Sequence, residues 1–374
     1  LAYHFDLSAN LPKKRTYLLK AGDHAQADYA NLAAISYFQR ALPLLADAER
    51  GTVLLKIGQV LELTGQWPEA EGQYQQALAL AEQLGDLLAQ EQSQLALGEL
   101  RRRQGHYAEA AERYTTAQAL AEQLGDQAGL AKALICAGTL ATQQGDFATA
   151  RAHYGRSLDI RRALDDQFNI ANILNNLSII AYSEGDYPQA RALQAESLTI
   201  RRTLGHKWAL ANSLNNLGTI LIEQGELAQA RVQLEEALNL QRELGDPAAL
   251  ALTLHSIADL ERTSGAYATA LTFYAESLTI NVRVGDRWTA IQALEDVAWL
   301  AALQGEPERA LRLAGAAAAT RAAMGTPLPP GDQTRLDAAL APARQALAER
   351  AAPLWAEGQA LSFEQAVALA LATA

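Results

Sequence analysis

Glycine stands at positions 65, 105, 145, 185, 225, 265 and 305, always forty residues apart. A fixed period of that size is the mark of a repeat architecture and outweighs any other feature of the chain. A second series runs halfway between, at Gly85, Gly125, Gly205, Gly245, Gly285 and Gly325, with Asp165 in the glycine's place once. Each unit is therefore two segments closed by turns. Within a segment the apolar spacing is helical. Ile170, Leu174, Leu177 and Ala181 share one face, and Tyr187, Ala190, Leu193, Ser197, Leu198 and Leu204 repeat the pattern. The glycines suit left-handed C-caps. Asp86, Asp126, Asp146, Asp186, Asp246 and Asp286 suit N-caps of the helices that follow. A helical hairpin with one apolar side cannot bury that side alone, so the units must stack.

The motifs inside the units resemble the tetratricopeptide repeat. Its first helix carries Leu-Gly and its second Ala-x3-aromatic. Here the first appears at Ile57-Gly58, Leu97-Gly98 and Leu217-Gly218, and the second at Ala70/Tyr74, Ala110/Tyr114, Ala150/Tyr154 and Ala270/Tyr274. Gln194 and Leu234 depart from the aromatic, the usual proline near the unit's end is absent, and the period exceeds the usual ~34. The resemblance implies an all-α fold, a right-handed α-solenoid or superhelix of about eight hairpins. Residues 1–46 hold N-terminal helices and a degenerate first hairpin (Ala34/Phe38/Ala41), 47–326 seven units, and 327–374 capping helices. For the cap, prolines at 327, 329 and 330 precede a helix expected over 332–349. Ser362 and Gln365 form a capping box for a last helix to about 372.

Segments such as ARALQAESLTIRRTLG (190–205), and the ending WAEGQALSFEQAVALAL, resemble the C-terminal sensor arrays of bacterial STAND signal-transduction ATPases, including LuxR-type and maltose-activator-like transcription regulators. That resemblance implies a cytoplasmic, non-catalytic arm that holds an effector in a concave groove and biases an attached switch. The alternative is a freestanding scaffold binding an extended peptide or protein cargo. The start at Leu1 leads us to expect a fragment of a longer chain. No phosphate-binding glycine motif occurs, so no cofactor is expected here, and ATP would belong to the missing N-terminal part of such a parent.

Charge and composition narrow the partners. With 31 basic and 42 acidic residues the chain lacks the basic excess that direct nucleic-acid binding needs. No apolar run is long enough to span a membrane. One cysteine, Cys136, permits no internal disulfide. The expected partner is a peptide or protein segment, or a small-molecule effector, and the isolated fragment should be monomeric.

Two units open with Leu-Asn-Asn-Leu, at 174–177 and 214–217. On a helical wheel, Asn172, Asn175, Asn176 and Ile179 fall ~170° from the core face, and Asn212, Asn215, Asn216 and Thr219 repeat them. Carboxamides both donate and accept, which matches peptide main chain. These amides are therefore expected to line the groove as a two-unit ladder, flanked by Lys132, Cys136 and Thr139 on one side and His255, Asp259 and Arg262 on the other, with Tyr182, Ile179 and Ile222 between. His255 and Asp259 alone are too few for a metal site. Arg161-Arg162 and Arg201-Arg202 read as cations offsetting helix dipoles. Trp299 is expected on the groove side, covered by the C-terminal segment.

Overall fold

Asp and Gly punctuate the chain as their chemistry requires. In the computed structural model, which describes residues 10–28, 30–326, 328 and 330–372, the Asp126 carboxylate accepts the Gly129 N–H at 3.0 Å and Asp286 that of Thr289 at 3.0 Å. Gly85 closes its helix at φ 67°, a conformation costly for a Cβ-bearing residue. Asp165, which replaces a glycine of this series, takes φ 52°, one of the few side chains that tolerate it.

The hairpins follow in order. The N-terminal pair is α1 (Leu11–Ala27) and α2 (Asn31–Ala41). Seven units then pair α3 (Asp47–Leu63) with α4 (Trp67–Leu84), α5 (Leu87–Arg103) with α6 (Tyr107–Leu124), α7 (Gln127–Gln143) with α8 (Phe147–Ala163), α9 (Gln167–Ser183) with α10 (Tyr187–Leu204), α11 (Lys207–Glu223) with α12 (Leu227–Leu244), α13 (Pro247–Thr263) with α14 (Tyr267–Val284), and α15 (Arg287–Leu303) with α16 (Pro307–Met324). No strand occurs among the described residues. The fold is an α-solenoid. Its contacts divide into two compact units, one ending at Ile180 and one beginning at Ala181, with the division inside α9.

Each hairpin closes on one small residue. A Cβ added at Gly58 would run into the Tyr74 ring, at Gly98 into Tyr114, and at Gly138 into Tyr154. Gly218 meets Leu234 in the same way, so the aliphatic side chain fills the slot of the missing aromatic. Gly22 stands against Phe38, which makes the N-terminal pair a true member of the series. First helices also pack on the next first helix, as α3 does on α5, α5 on α7, and α11 on α13. A first helix is thus covered on three sides.

Arg161 and Arg201 depart from expectation. Neither is a surface cation offsetting a dipole. Arg161 is buried, donating to the Ala128 carbonyl and Asp166, both at 2.9 Å. Buried Arg201 donates to the Ala209 carbonyl at 2.7 Å and the Ser213 hydroxyl at 2.8 Å, and burial holds its guanidinium down at about 10. Gln241 and Arg321 continue the column, tying second helices to first helices. Arg162 and Arg202 are exposed, and Arg202 pairs with Glu236 at 2.8 Å.

The C-terminal helices are α17 (Pro330–Leu347), α18 (Ala351–Gln359) and α19 (Phe363–Leu371). They bury Leu340, Ala343, Ala366 and Ala370 in the core of the last units. The capping box forms, with Ser362 accepting the Gln365 N–H at 3.2 Å and Gln365 accepting the Ser362 N–H at 2.8 Å. The helix expected over 332–349 instead breaks at Ala348, at φ 47°, and α18 follows as a separate helix. Its Gly358 and Gly315 of α16 bring the two backbones together, leaving no room for a Cβ on either.

One buried acid stands out in the first compact unit. Glu91 is 1% exposed, its Oε2 has no partner, and its carboxyl presses against Gly129 and Asp126. The same repeat position is Ala131, Ala171, Ala211 and Ala251 in later units. Burial, with the Asp126 charge beside it, pushes the Glu91 carboxyl above its usual range. A raised carboxyl costs stability as pH rises, because the native state resists losing the proton. Glu91→Ala should therefore unfold later in denaturant by roughly 1 kcal/mol near pH 8, with the gain vanishing in acid. Equal midpoints at pH 8 would show that the charge is accommodated.

Candidate functional site

The second-helix tyrosines reach across their hairpins with their hydroxyls. Tyr114 contacts Glu99 at 3.2 Å, Tyr154 contacts Thr139 at 3.0 Å, and Tyr274 donates to Asp259 at 2.5 Å. The partner is always fifteen residues earlier, at one repeat position of the first helix. Tyr74 turns instead to Glu62, at 2.9 Å. Thr139 and Asp259 are thereby engaged with the scaffold. Ile179 on α9 is 42% exposed. Gln194, in a tyrosine's place, turns its amide to the Ser213 carbonyl at 3.1 Å. Three units lack the tyrosine, with Gln194, Leu234 and Ala314 in its place, and the first two of these are the units with paired asparagines.

The asparagines do not behave alike. Asn172, Asn175, Asn176 and Asn216 are half-buried on the first helices. Asn215 is 4% exposed and its Oδ1 has no partner, which corrects its placement on an open groove wall. Asn212 accepts from the buried Gln241 at 3.1 Å, so its amide serves the hairpin. The reason is the three-sided packing of a first helix. The repeat position of Asn215 also holds Leu55, Leu95 and Ile135, then His255 and Glu295, and is largely sealed. Those apolar residues, at forty-residue spacing, were the available signal. Tyr182 is half-buried and Lys132 exposed. Cys136 is half-buried, and burial together with the Glu99 charge pushes its thiol up to about 11, away from nucleophile chemistry.

An open hollow does exist beside one asparagine. Thr139, Thr142 and Gln143 of α7, Tyr154 of α8, and Asn176 and Ile179 of α9 line a cleft of about 130 Å³. Its walls are mostly apolar, with the Asn176 amide among them. On the second compact unit a larger hollow of about 450 Å³ lies between α14 and α16 under the end of α19. There Arg309 donates to the Ala370 and Ala372 carbonyls at 2.9 and 2.8 Å and to Glu306 at 2.9 Å. It reads as a seam of the C-terminal cap.

His255, expected on the groove, is instead buried in a charged network. Its Nε2 lies 3.2 Å from Asp296 and 3.8 Å from Asp259. Arg262 donates to Asp259 at 2.9 Å and to the Tyr274 hydroxyl at 3.1 Å. Burial alone would lower the imidazole, but the hydrogen bond to Asp296 and the two carboxylates outweigh it and hold His255 at about 9. Three ligating atoms lie within 4.8 Å here, Asp296 being the one sequence reasoning missed. A cation would have to expel the imidazole proton and compete with Arg262 for carboxylates that are already neutralised. The arrangement is an ion-pair network joining α13 to α15. Trp299 also differs from expectation: the Arg262 guanidinium lies 3.8 Å from its ring centroid.

A family model described as tetratricopeptide repeat matches in overlapping segments, at 49–123, 90–163, 129–203, 169–243 and 209–282. Comparison with curated proteins gives no match. Among solved structures, BtubC (BKLC) from P. vanneervenii is 20% identical, with 64% of this chain and 93% of that one covered and a TM-score of 0.50. A STAND protein with a tetratricopeptide repeat sensor from Pyrococcus horikoshii is 12% identical, at TM-score 0.56, over 75% of this chain and 40% of that one. A Rap protein complexed with Competence and Sporulation Factor is 17% identical, at TM-score 0.59, over 76% and 80%. At these identities the likeness is one of fold. The chain spans well under half of the STAND protein. Among the described residues no helix is long and apolar enough to cross a membrane.

Proposed function

Because this chain belongs to the tetratricopeptide repeat family, we propose that it is a non-catalytic interaction module that binds an extended peptide or protein segment on the exposed stripe of its first helices. The observation that carries this reading is the cleft at Asn176. Its size suits a single apolar side chain, and the Asn176 amide at its wall can satisfy the main-chain groups that flank one. The solved Rap protein bound to a signalling factor supports the mode of use, and the STAND sensor supports the setting. On this reading the module is the cytoplasmic sensing arm of a larger bacterial signalling ATPase or transcription regulator. A freestanding scaffold that binds an extended peptide or protein cargo is the second reading.

The test begins with heptapeptides selected from a random library against the purified chain. Ile179→Trp fills the cleft and Asn176→Ala removes the amide, and both side chains are at least partly exposed. Each variant should weaken the selected peptides at least about tenfold while melting within a few degrees of the parent. Peptides that bind both variants as well as the parent would refute the cleft as the site.

A further inference from the structure

The turn between α9 and α10 folds two tyrosines together. Tyr182 lies in the last turn of α9 and Tyr187 opens α10, and Gly185 at φ 78° between them makes the reversal. Their ring centroids are 5.6 Å apart at an interplanar angle of 54°. Glu223, the last residue of α11, meets both hydroxyls, Tyr182 at one carboxylate oxygen and Tyr187 at the other, each at 3.4 Å. Bonds that long sit at the edge of hydrogen-bonding range and leave most of the carboxylate's acceptor capacity unused.

Charge sets this cluster apart. Several other acids on the first helices are matched by a base: Glu99 by Arg102, Asp259 by Arg262, Glu261 by Arg231 and Glu295 by Arg321. Glu223 is exposed, and among the described residues no lysine, arginine or histidine pairs with it. Two tilted phenol rings beside an unmatched carboxylate make a receptor for a planar cation. The ring faces attract it through their quadrupoles, and the carboxylate takes a charge-assisted hydrogen bond.

We propose that Tyr182, Tyr187 and Glu223 form a receptor for an arginine side chain of a bound peptide or protein. This rests on the reading of the chain as a peptide-binding module and names a chemical class for one of the partner's residues.

The experiment uses the whole chain and two probes, N-acetyl-argininamide and its uncharged isostere N-acetyl-citrullinamide. Binding is read from the tyrosine ring resonances, assigned with Tyr182→Phe and Tyr187→Phe. The arginine probe should bind about tenfold tighter than the citrulline probe. Glu223→Gln, at an exposed site that leaves the melting temperature unchanged, should erase most of that preference. Equal binding of the two probes, or a preference that survives Glu223→Gln, would overturn the receptor. Failure here leaves peptide binding at the Asn176 cleft untouched, because that site is read by different variants and a different ligand.

Discussion

Arg321→Ala should cost about 3–5 kcal/mol of stability, the largest single effect expected in the molecule. The Arg321 guanidinium holds Glu295 through two hydrogen bonds of 2.6 and 2.7 Å, one to each carboxylate oxygen, and both side chains are almost wholly buried. The pair joins α16 back to α15. Removing the arginine leaves a buried carboxylate without its counter-charge, and such a group must either ionise in a poor medium or bind a proton. Burial already pushes the Glu295 carboxyl above its usual range despite the guanidinium, so its desolvation is not fully offset even in the intact pair. That predicts an asymmetry. Replacing both residues by apolar ones of similar size, Glu295→Leu with Arg321→Met, should recover most of the loss. Chemical unfolding of the parent, the single variant and the double variant measures it. A double variant as unstable as Arg321→Ala would mean that the pair stabilises well beyond the penalty of an orphaned charge.

The hairpins were legible because their determinants are local. A glycine at a helix end, an aspartate at the next start and an apolar stripe between them act within one unit, and the chain repeats them. Glu295 with Arg321, or Arg161 with the Ala128 carbonyl, joins residues 26 and 33 positions apart, and no short-range pattern announces such ties. The helix break at Ala348 has no signature either, since alanine is a strong helix former and φ 47° ordinarily calls for Gly, Asn or Asp. The site was half legible. A wheel separates core from non-core but treats all non-core positions as open, whereas a first helix in a stack has neighbours on three sides. Comparing Asn215 with Leu55, Leu95 and Ile135 at the same repeat position would have marked it as enclosed. Comparing Ile179 with Glu99, Thr139 and Asp259 would have marked it as released, because the tyrosine fifteen residues later is missing.

That release links the repeat's own economy to binding. A hairpin with its tyrosine commits a polar first-helix side chain to the hydroxyl, and the stripe there is internally satisfied. In the units beginning at 167 and 207 the second helix carries Gln194 and Leu234, so no tyrosine hydroxyl is available to the first-helix position. An exposed apolar Ile179 beside an amide suits a partner better than solvent. Restoring the pairing in reverse is therefore a loss for binding even where it is a gain for packing.

The pH dependence of stability should carry the mark of His255. Its folded pKa, about 9, lies above the ordinary imidazole value of 6.5, because Asp296 and Asp259 hold the imidazolium against the cost of burial. For a group raised on folding, the added stability is complete below pH 6.5 and is lost as pH climbs through about 9. The shift corresponds to roughly 3 kcal/mol across that window. Denaturant midpoints at pH 6 and pH 10 measure it. His255→Gln combined with Asp296→Asn removes both titrating members while keeping amides that can hydrogen-bond, so its midpoint should change far less between the two pH values. Tyr274 and Arg262 face the same network but keep their protons throughout, since both are raised above their ordinary values. Parallel pH profiles for parent and double variant would show that the imidazole is neutral in the folded protein, and α13 would then be held to α15 by packing and uncharged hydrogen bonds.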